Sequence, residues 1–298
     1  MYKKSKLKYA EKLKFIPDKV YISLVYWIKE KKIMHWRNPR LLNEKLQALK
    51  ICNRNPLYTK LVDKLEVKDI IQEKLGSSYI IPTLGEWNRA EDIPWKTLPD
   101  RFVLKCTHDS HSVVIVDNKN QINKKEVTEF LNGCLKKNLY WLMREWPYKN
   151  VKPRIIAEKY ISNSDGTPMA DYKFYCYGGK PQYFMYSVGE ADHNVKNHKF
   201  NMKLESIDYL FKEKAAIEFK DICLPDNINQ MINIVTALCK NMPHVRIDLF
   251  NVDGHIYFGE FTFFSGGGFI HMKSDEYSAQ LANLIDLKQG YNWNEARL

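Results

Sequence analysis

From Val245 the chain reads Val-Arg246-Ile-Asp248-Leu-Phe250, then Asn251-Val-Asp253-Gly254, then His-Ile256-Tyr-Phe-Gly-Glu260-Phe-Thr262. Asp-Gly between two alternating apolar runs is a strong local signal for a β-hairpin. Side chains at i and i+2 of a strand share a face. Arg246 and Asp248 therefore stand together, as do Glu260 and Thr262. Pairing the two strands would gather all four on one surface. Two carboxylates, a hydroxyl and a guanidinium suit Mg²⁺ and the phosphates of a nucleotide. A sheet edge carrying paired surface charges fits the same pattern.

The 298 residues suffice for one large or two moderate domains with a substantial core. Hydrophobic residues make up 45% and charged residues 27%, which excludes an intrinsically disordered chain. The longest apolar run near the N-terminus, Val20 to Ile28, is too short to span a bilayer, and no small-residue cleavage pattern of a secretory signal accompanies it. The six cysteines are scattered and form no CxxC pair, which argues against zinc and against a disulfide framework. Reduced thiols in a cytoplasm are expected. Net charge is +11, and residues 1–40 hold 12 Lys or Arg against Glu11, Asp18 and Glu30, a local +9. Such an arm suits an anionic surface, and equally a solvated helix that aids solubility.

Residues 7–33 read as helical, interrupted at Pro17. A second helix is expected from Leu42 to just before Asn53-Arg-Asn-Pro56, and a third from Thr59 to Leu75, stopped by Gly76. Strands follow at Tyr79–Pro82, Phe102–Lys105, Ser112–Val116 and Arg154–Ile161. Helices are expected within Asn123–Met143 and over residues 226–240. Tyr172–Tyr177 and Gln182–Ser187 form a hairpin across Gly178-Gly179. The order is helices first, then an α+β body of antiparallel hairpins.

Further segments carry chemistry. Lys105 ends an apolar strand before His108-Asp-Ser110-His111-Ser112, so a point charge and a polar loop are placed to hold phosphates; a hairpin with a solvated lysine fits as well. His108 and His111 are three residues apart in a loop, a poor zinc spacing. Glu158-Lys159-Tyr160-Ile161 closes a strand and could present backbone groups to a base. Asp171 and Lys173 share one strand face, while Tyr172 and Phe174 share the other. Ser265-Gly266-Gly267-Gly268 follows the hairpin and would offer free amides to an anionic intermediate or a substrate carboxylate.

Taken in order, strand-Lys105-loop, Glu158-Lys-Tyr-Ile161, Asp171-Tyr-Lys173, Arg246-x-Asp248 and Glu260-x-Thr262 resemble the ATP-grasp superfamily. They look most like its branch typified by the teichuronopeptide-biosynthesis protein TupA, across roughly residues 55–290. Asp63-Lys64, Phe102-Val-Leu-Lys105, Asp171-Tyr-Lys-Phe174 and Phe258-Gly-Glu-Phe-Thr262 carry the likeness to the branch. The resemblance implies an α+β ATP-grasp fold: two lobes with mixed or antiparallel sheets gripping ATP, preceded by basic N-terminal helices. Residues 1–75 would form the helical region, 76–161 the first lobe and 162–298 the second.

The same resemblance implies ATP and Mg²⁺ as cofactors. Lys105 would hold the α- and β-phosphates, with His108, Ser110 and Ser112 in the loop closing over the β- and γ-phosphates. Glu158, Lys159, Tyr160 and Ile161 would receive the adenine. Asp171 or Lys173 would meet the ribose or phosphates, Asp248, Glu260 and Thr262 would carry the metal, and Arg246 would face the transferred phosphoryl group. Residues 265–268 would meet the substrate. Two departures stand out. Thr262 replaces the usual Asn, and the phosphate loop contains no glycine.

The implied activity is an ADP-forming carboxylate–amine ligation through an acyl phosphate. It would join an amino acid or small amine to a uronic acid of a bacterial capsule or O-antigen polysaccharide, or to its nucleotide-sugar precursor. A cytoplasmic protein is expected, with peripheral contact at the inner membrane face through the basic N-terminus and no nucleic-acid partner. Two other readings stay open: a glycosyltransferase in surface-polysaccharide synthesis, and a non-catalytic ATP- or polysaccharide-binding scaffold. A glycosyltransferase predicts alternating βα units and an Asp-x-Asp, and the sequence contains no Asp-x-Asp.

Overall fold

The computed structural model describes residues 4–110, 112–189, 195–213 and 215–288. The first helices are α1 (Lys4–Lys12), α2 (Asp18–Glu30), α3 (Leu42–Cys52), α4 (Leu57–Val62) and α5 (Glu66–Leu75). Strands β1 (Thr83–Trp87), β2 (Phe102–Cys106) and β3 (Val114–Val116) precede helices α6 (Lys124–Leu135) and α7 (Tyr140–Met143). Then come β4 (Ile155–Lys159), β5 (Ala170–Tyr177), β6 (Lys180–Val188) and β7 (Lys196–Asn201). Helix α8 (Ile228–Leu238), β8 (His244–Val252), β9 (His255–Thr262) and α9 (Asp275–Asn283) complete the order. The architecture is mixed α+β with two antiparallel sheets, as expected.

The chain divides into two compact units. One gathers the residues up to Ile16 with Pro56–Ile161, and the other gathers Pro17–Asn55 with the residues from Ser162 onward. The N-terminal helices, expected as one region, are thus shared between the units: α1, α4 and α5 belong to the first, α2 and α3 to the second.

In the first unit the sheet order is β1-β4-β2-β3. Phe102, Leu104 and Cys106 point to one side of β2 and meet Ile155, Ala157 and the α6 residues Val127, Leu131 and Cys134 in a buried cluster. Alternation sends Val103 and Lys105 to the other face, where Lys105 lies opposite Ile156 and Val103 opposite Glu158. The helix expected over Thr59–Leu75 is broken. Asp63 leaves the helical conformation, and its Oδ1 accepts from the amides of Leu65 and Glu66 at 2.8 and 3.3 Å, which starts α5 afresh. Tyr79–Pro82, expected as a strand, holds a 3₁₀ turn at Ser77–Tyr79; the strand begins only after Pro82, whose nitrogen has no hydrogen to donate.

In the second unit the order is β7-β6-β5-β8-β9, and Met231, Val235 and Leu238 of α8 are buried with the apolar residues of that unit. The hairpin turns on Asp253 and Gly254, both at positive φ (50° and 79°), the geometry that a two-residue turn between right-twisted strands requires. Such a turn pairs Phe250 with Tyr257 and Leu249 with Phe258, so straight continuation would set Asp248 against Gly259 and turn Glu260 to the opposite face. Instead the register shifts between Asp248 and Leu249, and Asp248 lies opposite Glu260 and Arg246 opposite Thr262. A one-residue bulge at Gly259 puts all four side chains on one face. A Cβ at Gly259 would sit 2.9 Å from the Asp248 carbonyl oxygen, so the close approach depends on glycine.

Gly259→Ala is therefore expected to lower unfolding free energy by about 1–3 kcal/mol. Urea unfolding measures it; unchanged stability would show that the bulge tolerates a side chain.

Candidate functional site

Cross-strand register builds a row on one face of the second unit's sheet: Lys199, Met185, Lys173, Asp248 and Glu260. Arg246 and Thr262 stand in the neighbouring row, and Asp171 lies two residues before Lys173 on the same face. Arg246 is the hub. Its Nε and Nη2 donate to Asp248 at 2.6 Å each, and Nη2 also donates to Glu260 Oε1 at 2.7 Å. Thr262 donates its hydroxyl to the same Glu260 oxygen at 3.2 Å. Lys173 pairs with Asp171 at 3.1 Å.

Burial dominates the electrostatics. It pushes the Asp248 carboxyl up to about 7, with Asp171 and Glu260 adding to the rise against the pull of Arg246. Burial alone would lower the Arg246 guanidinium, but Asp248 and Glu260 outweigh it and hold it firmly charged. Two residues earlier on this face, burial depresses His244 to about 4, so its ring stays neutral near Arg246.

Asp248 and Glu260 approach closely enough to share one guanidinium nitrogen, and two hard oxygen donors so spaced would fit a Mg²⁺ that takes its other ligands from water and phosphate oxygens. Among the described residues no group of three or more His, Cys, Asp or Glu is arranged to hold a metal.

The first unit carries the opposite arrangement. Buried Glu158 is bridged by Lys105 and Lys68, each at 2.6 Å. Lys68 also donates to the Ile81 carbonyl and the Thr83 hydroxyl. Burial would raise the Glu158 carboxyl, but the two ammonium groups more than offset it and hold the carboxyl below its ordinary range. For Lys68 burial wins and lowers the ammonium.

A family model described as TupA-like ATPgrasp matches residues 44–286. The chain belongs to the TupA-like ATP-grasp family. Among solved structures it is similar to D-alanine–D-alanine ligase from Bacillus anthracis complexed with ATP, at 17% identity and a TM-score of 0.40, covering 74% of this chain and 57% of that one. The Helicobacter pylori D-alanine–D-alanine ligase aligns at 16% identity and a TM-score of 0.42, covering 80% and 62%. The D-cycloserine synthetase DcsG aligns at 13% identity and a TM-score of 0.42, covering 81% and 77%. The chain thus spans less than two thirds of the two D-alanine ligases' length. No curated protein matches it.

The remaining expected residues of this TupA-like chain divide by what they touch. Lys159 is exposed, and its amide donates to the Pro82 carbonyl. Tyr160 and Ile161 are half-buried, and the Arg101 guanidinium lies 4.1 Å from the Tyr160 ring centroid. His108 and Ser112, expected in a phosphate loop, are both held by the protein itself. His108 is buried with Nε2 3.3 Å from the Cys134 carbonyl, and burial lowers its basicity, so it is neutral. The Ser112 hydroxyl accepts from the Cys106 amide at 3.0 Å. Ser110 is exposed, whereas His111 lies outside the described residues. None of the described loop residues takes positive φ, so a glycine-free loop is accommodated by another backbone shape.

The glycine loop is likewise tied into the protein. Gly266, Gly267 and Gly268 all adopt left-handed φ, yet the Gly267 and Gly268 amides donate to the Phe264 carbonyl at 2.8 and 3.1 Å and are not free. Their carbonyls are held from α3: Gln47 donates to Gly267 and Gly268, and the buried Lys50 donates to Gly267 at 2.7 Å. The Ser265 hydroxyl is buried and has no hydrogen-bond partner among the described residues. Gln47, Lys50 and Lys68 were missed in the sequence. For Lys50, the available signal was its place with Asn43 and Gln47 at i, i+4 and i+7, a polar line on one helix face flanked by Leu42, Leu46 and Leu49.

Glu158→Gln leaves two largely buried lysines uncompensated, so a loss of about 3 kcal/mol in unfolding free energy is expected, measured against Glu86→Gln on exposed surface. For Asp248 the sign is the reverse of the usual carboxylate. Its folded value lies above its unfolded one, so its contribution is complete below the unfolded value and is lost as pH rises through about 7. Melting temperature of metal-free protein between about pH 5 and about pH 8 should therefore fall more steeply for the natural chain than for Asp248→Asn. Equal slopes would contradict the assignment.

Proposed function

We propose that this chain is an ADP-forming, ATP- and Mg²⁺-dependent carboxylate–amine ligase. It joins an amino acid or small amine to a uronic acid of a bacterial surface polysaccharide or its nucleotide-sugar precursor. One observation carries the reading: Asp248, Glu260 and Arg246 share one sheet face, locked in a single hydrogen-bonded cluster. Family membership supports ATP as the nucleotide, and the TupA-like name supports the polysaccharide setting. A basic protein suits acidic glycans and nucleotide sugars. Both sheets are antiparallel, which favours this reading over a glycosyltransferase built from alternating βα units.

Mg²⁺ would be held by Asp248 and Glu260 and would supply charge neutralisation of the phosphates. Thr262 orients Glu260 through its hydrogen bond. Arg246, already charged and bridging both acids, is placed to swing one donor pair onto a transferring phosphoryl oxygen. Lys173 adds a second cation on the same face. Lys105 and Ser110 would meet phosphate oxygens, and Glu158 with Lys159, Tyr160 and Ile161 would form the base site. The acceptor carboxylate attacks the γ-phosphorus, the β–γ bridge breaks with release of ADP, and the amine then displaces phosphate from the acyl phosphate. No protein nucleophile is required. Residues 265–268, braced by Gln47 and Lys50, form the acceptor side.

The protein works in the cytoplasm with peripheral contact at the inner membrane face. No helix among the described residues is long and apolar enough to cross a membrane.

Purified protein with ATP, Mg²⁺, UDP-glucuronic acid and mixed amino acids is expected to yield ADP, phosphate and an amide adduct by mass spectrometry. Glu260→Ala is expected to cut ADP formation at least about a hundredfold while far-UV circular dichroism stays unchanged. Undiminished turnover in that variant would remove the metal assignment, and UDP release without ATP consumption would favour a glycosyltransferase.

A further inference from the structure

Helix α2 is apolar on two sides. Tyr21, Ile22 and Tyr26 are buried within the second unit. On the other side Val20 (50% exposed), Leu24 (48%), Trp27 (56%) and Ile28 (57%) face outward. Their spacing of i, i+4, i+7 and i+8 places them within an arc of roughly 100°, a continuous stripe along the helix. Ile33, just beyond the helix end, is 75% exposed. A soluble surface rarely leaves so many large apolar side chains together without a partner.

The charges that flank the stripe are mainly basic, with Lys32 paired to the exposed Asp275 at 2.7 Å. Between residues 17 and 40 the exposed charged side chains are Lys19, Lys29, Lys31, Lys32, Arg37 and Arg40. The only acids there, Asp18 and Glu30, are half-buried and turned to partners: Asp18 to Arg54 at 3.0 Å, Glu30 to the Asn43 amide at 3.1 Å. Lys31 ends α2 in a left-handed conformation, with its ammonium 6.0 Å from the Trp27 ring centroid, at the end of the stripe. A tryptophan and a lysine side by side at the edge of an apolar stripe suit a headgroup boundary. There the ring sits among the upper acyl chains and the ammonium reaches anionic headgroups.

We propose that this outer face of α2 docks onto an anionic lipid bilayer, with Val20, Leu24, Trp27 and Ile28 entering the interface and Lys19, Lys31, Arg37 and Arg40 meeting lipid phosphates. The inference deepens the peripheral contact proposed above by naming its surface and its partner. Charge complementarity selects lipid over a second copy of the chain, because an isologous pairing through this face would bring two sets of four cations together. An anionic leaflet rewards each of them.

The test is vesicle flotation of the full-length protein, without nucleotide or acceptor, so that it reads independently of the ligase assignment. Vesicles of phosphatidylcholine alone are compared with an equal mixture of phosphatidylcholine and phosphatidylglycerol. The natural chain is expected to float with the mixed vesicles at low salt, to detach as salt rises, and to stay behind with phosphatidylcholine alone. The double variant Leu24→Ser, Ile28→Ser should lose binding about tenfold or more, and Lys19→Glu with Lys31→Glu should remove the dependence on phosphatidylglycerol. Circular dichroism and ADP formation should be unchanged in both, since neither touches the catalytic cluster. Equal flotation of natural and variant chains overturns the proposal. So does binding indifferent to lipid charge and salt, or a dimer in sedimentation that dissolves in the serine variant without any flotation of the natural chain.

Discussion

A single guanidinium, Arg246, is held by two carboxylates from neighbouring strands, Asp248 and Glu260. Desolvation makes this arrangement demanding. Two acids side by side in a buried setting repel one another, and the rise of the Asp248 carboxyl to about 7 records that cost. Arg246 offsets it with three hydrogen bonds and, being planar and always charged, serves both acids at once. A magnesium ion would relieve the same repulsion, so the protein's own cation and the metal are alternatives for one set of oxygens. The bulge at Gly259 is what brings Glu260 across from Asp248. One unpaired residue therefore separates this four-residue polar face from an ordinary hairpin.

The two units carry complementary polar clusters. In the first, one carboxylate is shared by two lysines. In the second, one guanidinium is shared by two carboxylates. Both rest on buried charge, so each is sensitive to the removal of a single partner and insensitive to many changes on the surface around it.

Much of this was legible in the chain where local chemistry determines geometry. Asp253-Gly254 specified the hairpin, alternation assigned Lys105 and Asp171 with Lys173 to their faces, and Pro17 and Gly76 bounded helices. The shared face of Arg246, Asp248, Glu260 and Thr262 was anticipated, but the bulge that makes it possible was not, because parity across a hairpin emerges only when register is known. Long-range partners were invisible for the same reason. Lys68 meets Glu158 and Lys50 meets Gly267 across long stretches of sequence, and a lysine in a helix carries no local sign of its partner. Strand β7 was missed because Lys196-Asn-His-Lys-Phe200 lacks a clean alternation of apolar and polar residues. His108 looked like a loop ligand and proved to be a neutral buried side chain.

The central claim is that Asp248 and Glu260 exchange part of their hold on Arg246 for a nucleotide-bound magnesium. The most direct measurement is a crystal structure with Mg²⁺ and a non-hydrolysable ATP analogue. The expected result is a cation bonded to both carboxylates and to phosphate oxygens, with Arg246 released from at least one acid and turned toward the γ-phosphate. A nucleotide bound elsewhere, with Arg246 still bridging both acids, would contradict the account.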